Sequence, residues 1–391
     1  MSIEVRVIKP EDFFSWDSYA YAHSRSSLYH LSGWAEVIRR TYGHNYYYLI
    51  AFKNCQSAMN KTNPEKADSK QSALSDQPLK TFVVGLLPLI HLKSIIFGNS
   101  LISIPFFDFG GILADDEKTE KALLTKAIEV AKELKIHNIE LRHFLPLTWL
   151  DPKNIGKSAT NSELTISKIA FETQSHKVRM LLNLPESSEI LMKSFKAKLR
   201  SQIRLPIKEG LKSKIGGIDL LEDFYKVFSI NMRDLGSPVH SKKFMQHVLE
   251  AFREKSRIVV IYKAMKPLAC RLIIGFKGVL ENPWASALRS YSKLNPNMLL
   301  YWTMLEYACD QGYRFFDFGR STPNEGTYHF KEQWGATPQP LSWQYIALNG
   351  KLKVGGQSEK SKFDRAIKGW KKLPIPVTRV LGPMIRKHIS L

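Results

Sequence analysis

The chain has 391 residues, of which 44% are hydrophobic, 11% aromatic and 24% charged; that length favours two domains, and that much apolar side chain excludes wholesale disorder. Lys and Arg number 57 against 36 Asp and Glu, a net charge of +21, so the expected partner is anionic: nucleic acid, a phosphorylated substrate or a lipid headgroup. Cys55, Cys270 and Cys309 are too scattered for a disulfide framework or a thiolate zinc site, and the 11 histidines show no metal-ligand spacing, so no metal is expected and a reducing compartment is.

The first ten residues alternate like a strand and lack a basic-then-apolar leader. No run approaches the ~20 apolar residues that span a bilayer; the most apolar stretch, 82–92, is interrupted by Gly85, Pro88 and His91. A cytoplasmic protein is expected. Residues 54–80 are polar and Ser/Lys/Gln-rich, and ordering them would cost entropy with little burial in return, so they are expected to form a disordered hairpin loop between strands over 46–52 and 81–92. A helix over 117–134 and a strand over 138–142 precede a second polar stretch, 151–163, which places a first domain at 1–165 and a second at 175–350.

The second half predicts a helix over 187–211 interrupted at Pro206, helices over 221–235 and 241–254, and strands over 257–263, 268–276 and 283–291. A helix over 298–311 stopped by Gly312, a strand over 313–319, a segment 328–334 and a strand over 341–348 follow. Strands flanked by helices indicate an α/β (α+β) fold with mixed sheets. A shift of 177 residues aligns Glu129, Ala131 and Glu140 with Glu306, Ala308 and Asp317, a helix, turn and strand in each half, and suggests duplication.

Chemistry concentrates in 315–336, where a strand delivers Asp317 and a turn leads to Tyr328, His329, Phe330, Lys331 and Trp334. Aromatic walls beside a lysine, an acid and hydroxyls make a plausible pocket. Over 193–214 eight cations, among them Lys198, Arg200 and Arg204, oppose Glu209 alone, beside an apolar row of Leu191, Phe195, Leu199, Ile203, Ile207 and Leu211. Such a row suits phosphate, with the two arginines fitted for bidentate contact. No sequence-reading DNA motif is present, so sequence-specific DNA is not an expected partner. The tail, 351–391, sets Trp370, Lys371, Lys372 and nine other cations beside an apolar face, the pattern of a segment lying on an anionic membrane surface.

Asp317-Phe318-Gly319, a small turn, and Gly326-x-Tyr328-x-Phe330-Lys331-x-x-Trp334-Gly335 resemble the C-terminal motif of the FemAB family, in the Trp-Gly form of its exosortase/PEP-CTERM-associated branch. Leu31-Ser32-Gly33-Trp34, the run Ile104 to Gly111 and the run Lys198 to Arg204 support it. The resemblance implies two tandem GNAT-like domains that transfer an aminoacyl or acyl group to an amine of a cell-envelope precursor related to peptidoglycan or exopolysaccharide. The implied donor is aminoacyl-tRNA, whose acceptor end would be a partner, or else acyl-CoA, and no bound cofactor is implied. Lys331 falls on the family's functional lysine, which would stabilise an oxyanion, and Asp108 on an acid that would accept the amine's proton. Around them Asp317, Arg320, Ser321, Tyr328, His329, Phe330 and Trp334 would bind substrate, with Lys198, Arg200 and Arg204 on phosphate. The acyl-CoA phosphate-binding turn of typical GNAT enzymes is absent from both halves. A catalytically inert scaffold binding envelope lipid or glycan, and a general RNA binder, are the alternatives.

Overall fold

The structure is a computed structural model that describes residues 2–55, 80–94, 98–150, 169–352 and 360–390. The polar stretches expected as loops, 56–79 within the insertion and 151–163, lie outside the described residues.

The first half runs β1 (Ile3–Val7), α1 (Phe13–Ala22), α2 (Gly33–Tyr42), β2 (Leu49–Cys55), β3 (Lys80–Leu87), β4 (Ile90–Ser94), β5 (Gly98–Ser103), β6 (Leu113–Ala114), α3 (Glu117–Glu133) and β7 (Asn138–His143). Trp34, Val37 and Ile38 put the buried stripe of α2 at helical spacing, and Gly43, at φ 74°, ends it in the left-handed region. Asp116 caps α3 by accepting from the Thr119 N–H. The single strand expected over 81–92 is two: Pro88 has no N–H for the ladder, the chain turns there, and β3 and β4 enter different sheets.

The second half runs β8 (Ala170–Gln174), β9 (Val178–Asn183), α4 (Ser188–Ser194), α5 (Ala197–Lys208), β10 (Leu211–Gly216), α6 (Leu221–Leu235), α7 (Lys242–Ala251), β11 (Ser256–Lys263), β12 (Lys266–Phe276), β13 (Val279–Ala287), α8 (Pro296–Asp310), β14 (Phe315–Ser321), α9 (Gly326–Glu332), β15 (Thr337–Pro340) and β16 (Ser342–Ala347). The tail forms α10 (Lys360–Trp370) and α11 (Ile375–Arg386). The helix expected over 187–211 with an interruption at Pro206 is broken instead at Phe195, which takes an extended conformation and turns its ring into the core against Trp302 and Trp334, while Pro206 lies within α5. Leu211 belongs to β10, and Ile207, expected in the packed row, is exposed.

Three mixed or antiparallel sheets result, in the orders β1-β2-β3-β6, β4-β5-β7-β16-β8 and β10-β11-β12-β13-β14-β9-β15. The suspected repeat has a structural counterpart: α3 leads into β7, which runs parallel to β5, and α8 leads into β14, which runs parallel to β13. The expected end of the second half departs from chain order, because β16 pairs with β7 and brings β8 with it into the first half's sheet. One apolar core crosses between the halves, with Trp34 against Phe252 (ring centroids 4.5 Å apart) and Phe107 against Trp284 (5.7 Å). Among the described residues no helix is long and apolar enough to cross a membrane.

Candidate active site

A cavity of about 490 Å³ opens where the halves meet. Its first-half wall is the loop after β5, Ile104-Pro105-Phe106-Phe107-Asp108-Phe109-Gly110-Gly111. Phe107 packs its ring 4.3 Å from Trp34 and 4.6 Å from Tyr29, so the loop is pinned by apolar contact. The carbonyls this turns inward need donors. Arg142, wholly buried and ion-paired to Glu140 at 2.7 Å, donates to those of Ile104 and Phe107, and Trp343 Nε1 donates to that of Asp108 at 2.8 Å. A Cβ on Gly111 would stand 2.3 Å from the His143 ring, so only glycine lets the loop pass. His143 Nε2 accepts the Ile112 N–H at 2.9 Å, and His30 Nε2 donates to the Gly111 carbonyl at 3.1 Å. Burial keeps both rings neutral, lowering His143 to about 3 and His30 to about 4.

The second-half wall is built by β13 and β14. Their parallel register sets Glu281 opposite Asp317, two buried acids side by side. Asp317 is paired with Arg179 of β9 at 3.0 Å and accepts the Gly319 N–H at 2.7 Å. Burial, and then the facing Asp317 charge, push the Glu281 pKa well up, with Arg179 and the Tyr29 hydroxyl opposing in part. The β14–β9 ladder slips between Asp317 and Arg320, with Gly319 at φ 76°. This irregularity leaves the carbonyls of Gly319 and Arg320 for Lys331 Nζ, which donates to them at 3.0 and 2.8 Å. An ammonium carries three protons, so one remains for the cavity. Burial first, then the Arg271 charge, lower the Lys331 pKa to about 8. Arg271 itself donates to the Asn282 side chain and lies 4.0 Å over the Tyr301 ring.

Of the residues expected to form a site, Asp108, Asp317, Arg320 and Lys331 line this one cavity, with Asp108 and Arg320 paired at 3.4 Å. Phe330 and Trp334 stand behind it: Trp334 is 1% exposed between Phe195 and Tyr301, and the Phe330 ring lies 5.0 Å from Tyr301. Tyr328 is half-buried on the same core, His329 is exposed beside Glu332, and Ser321 is buried in β14; none of the three lines the cavity. Lys198, Arg200 and Arg204 do not line it either. They project from α5, and Arg200 is spent on the carbonyls of Phe195 and Lys193, at 2.5 and 3.3 Å. Tyr29, Arg271, Glu281 and Arg386 line the cavity without having been anticipated. An acid amid apolar neighbours in the strand Val279–Ala287 was a usable signal for Glu281; the other three had none.

The tail packs on the body. Arg379 Nε donates to Ser229 Oγ at 2.9 Å, Arg233 reaches the Leu373 carbonyl at 3.2 Å, and Gly382 lies so close to Val239 that a Cβ would stand 2.9 Å from its methyl. The chain then crosses to the first half, where the Lys387 carbonyl meets His44 at 2.7 Å and the Ser390 carbonyl accepts the Phe106 N–H. Trp370 is half-buried, Lys371 and Lys372 are exposed, and Val377, Val380, Leu381, Met384 and Ile385 face outward. A second concavity of about 610 Å³, over residues 215–219 and 249–257, holds only solvent-facing charges and no buried titratable group. Among the described residues no cluster of His, Cys, Asp or Glu could hold a metal ion.

The fold and the cavity define a mixed α/β protein with a polar site where its two halves meet. Residues 193–332 match the model of the acetyltransferase (GNAT) domain. Among solved structures, the crystal structure of FemX aligns over 88% of this chain and 98% of that one, at 14% identity and a TM-score of 0.61. A conserved protein of unknown function from Bacteroides thetaiotaomicron VPI-5482 aligns over 88% and 100%, at 9% identity and 0.52, and both share the fold of this chain. A tandem GNAT protein from the clavulanic acid biosynthesis pathway aligns over 90% and 100%, at 10% identity and 0.49. No curated protein matches in sequence.

Proposed function

We propose that the chain is a FemAB-like N-acyltransferase of the exosortase/PEP-CTERM-associated kind, moving an aminoacyl or acyl group onto an amine of a cell-envelope precursor. One observation carries the reading: Lys331, tied by two protons to backbone carbonyls, faces the carboxyl groups of Asp108 and Glu281 across a single cavity. In the transfer, the amine nitrogen attacks the carbonyl carbon of an ester or thioester donor, the carbon–oxygen or carbon–sulfur bond breaks to release the donor's alkoxide or thiolate, and the proton that the nitrogen sheds ends on that departing oxygen or sulfur. The free proton of the Lys331 ammonium is placed to hold the carbonyl oxygen as it gains charge. Glu281, whose raised pKa suits a base near neutral pH, takes the nitrogen's proton, while Asp108, held by Arg320, orients the amine. Asp317 is committed to Arg179 and serves as the fixed charge that raises Glu281.

Aminoacyl-tRNA is the first donor to test and acyl-CoA the second. The decisive assay incubates the purified chain with each labelled donor and an amine acceptor. Transfer is expected from one of them, and Lys331→Met, with unchanged circular dichroism, is expected to be slower by about 100-fold or more. Full turnover by that variant would remove Lys331 from the mechanism. A chain that binds acceptor and transfers nothing would instead be the envelope-binding scaffold.

The outward row on α11 beside Lys371 and Lys372 supports a place on the inner face of the cell membrane, against anionic lipid.

A further inference from the structure

Arg386, from the last turn of α11, enters the cavity beside the loop that carries Asp108. Its surroundings differ from those of the cavity's other cations. Arg320 has Asp108, Lys331 has two carbonyls, and Arg271 has the Asn282 amide oxygen. Arg386 Nε donates to His240 Nε2 at 3.0 Å, and its guanidinium stands 5.8 Å over the Phe106 ring. Among the described residues no carboxylate pairs with it, and neither terminal nitrogen has a hydrogen-bond partner. The groups that face it are Tyr42, His240, Arg142 and Arg320. His240 cannot supply negative charge: its Nδ1 meets the Tyr42 hydroxyl at 2.6 Å, its ring stacks 4.6 Å from Phe244, and burial and the Arg386 charge keep it neutral.

Arg386 is half-buried, and its two terminal nitrogens reach the open cavity with no counter-charge beside them, so an anion brought there would gain charge-assisted hydrogen bonds without displacing an existing partner. We propose that Arg386 is the anion-recognition residue of this cavity and that its ligand is a single carboxylate of the bound substrate. The inference rests on the transferase reading only in that the cavity is taken as a substrate site. A carboxylate fits for two reasons. Two free nitrogens of one planar fork match two coplanar oxygens. The neighbouring wall is Phe106 and, 6.2 Å from the His240 ring, Trp284, apolar surface that suits the organic body of a carboxylate ligand better than the solvated oxygens of a phosphate. The acceptor class that follows has an amine and, on the same molecule, a carboxylate: an amino acid or peptide terminus more than a bare amino sugar. The C-terminal helix thereby completes the site and selects within it.

The test uses the full-length chain without donor, so that it is independent of turnover. Calorimetry compares an aminoacyl dipeptide with a free terminal carboxylate, the same dipeptide amidated, and inorganic phosphate. The carboxylate is expected to bind about 10- to 100-fold more tightly than the amide, and Arg386→Gln to abolish that difference while keeping the circular dichroism and thermal midpoint of the parent. Arg386→Lys, which keeps the charge and loses the fork, is expected to fall between. Equal binding of acid and amide, tighter binding of phosphate, no measurable carboxylate binding, or full discrimination by Arg386→Gln would each overturn the assignment. Should Arg386→Gln unfold, the comparison of acid with amide on the parent chain decides alone. A chain that discriminates the carboxylate but transfers nothing would refute the transferase reading and leave this site standing.

Discussion

In the proposed transfer, Lys331 and Glu281 take their roles from opposite displacements. Burial lowers the lysine to about 8 and raises the acid, so both sit near the pH at which a proton can be passed. The lysine must be charged to hold an oxyanion, and its charge is lost as pH rises through about 8. The rate of transfer is therefore expected to fall on the alkaline side of about 8, and Lys331→Arg to carry that limb beyond the measured range, because a guanidinium stays charged. A pH profile of kcat/KM reads this, and an unmoved limb would assign it to another group. Lys331 and Asp108 were legible because each sits in a short run whose neighbours mark it. Glu281 and Arg386 gain their places from strand register and from the path of the tail, which no local pattern encodes. Trp334, equally prominent in sequence, proves to be packing: its value is to press Tyr301 and Phe195 together behind the wall.

At the level of elements, helices with long apolar stripes were readable, as in α3 and α6, since a period of 3.6 survives without tertiary context. Failures occur where tertiary packing overrides a local pattern, at Pro88, where one apolar run serves two sheets, and at Phe195, where a side chain wanted by the core breaks a helix. The loop that presents Asp108 depends on two histidines held neutral. Both have folded pKa values, about 3 and about 4, below the ordinary 6.5, so the unfolded chain binds more protons in that interval. Their contribution to stability is complete above about 6.5 and is lost as pH falls towards 3, on the order of several kcal/mol in all. Denaturant melts at pH 7 and pH 5 are expected to show the drop, and His143→Gln to flatten it. A parent protein equally stable at both would show that the loop is held otherwise.

For the whole molecule, the net charge of +21 resolves into regions with different surroundings. The cations of α5 stand on an exposed face away from the cavity, those of the tail flank a helix with one side fastened to the body and the other apolar and open. Phosphatidylglycerol vesicles are expected to capture the full-length chain, with capture falling about tenfold when Val380 and Met384 are both replaced by Asp and falling again with salt. Capture unchanged by the double substitution would place lipid contact elsewhere or nowhere. The helix, turn and strand that recur at a shift of 177 residues were visible in sequence, and both copies form. That β16 and β8 join the first half's sheet was not visible, since edge pairing is decided by geometry many residues away.

The five-stranded sheet has a consequence for how the chain reaches this state. Its order, β4-β5-β7-β16-β8, attaches β8 only through β16, so residues near 170 wait for residues near 345 before they can pair. During synthesis the amino-terminal half emerges early yet stays unfinished, with the β7 edge open, until residues near 345 have been made. The contact of Ser390 with the backbone of Phe106 draws on residues later still. A chain interrupted before β16 would thus lack both β16 and β8 in the first-half sheet as well as the tail.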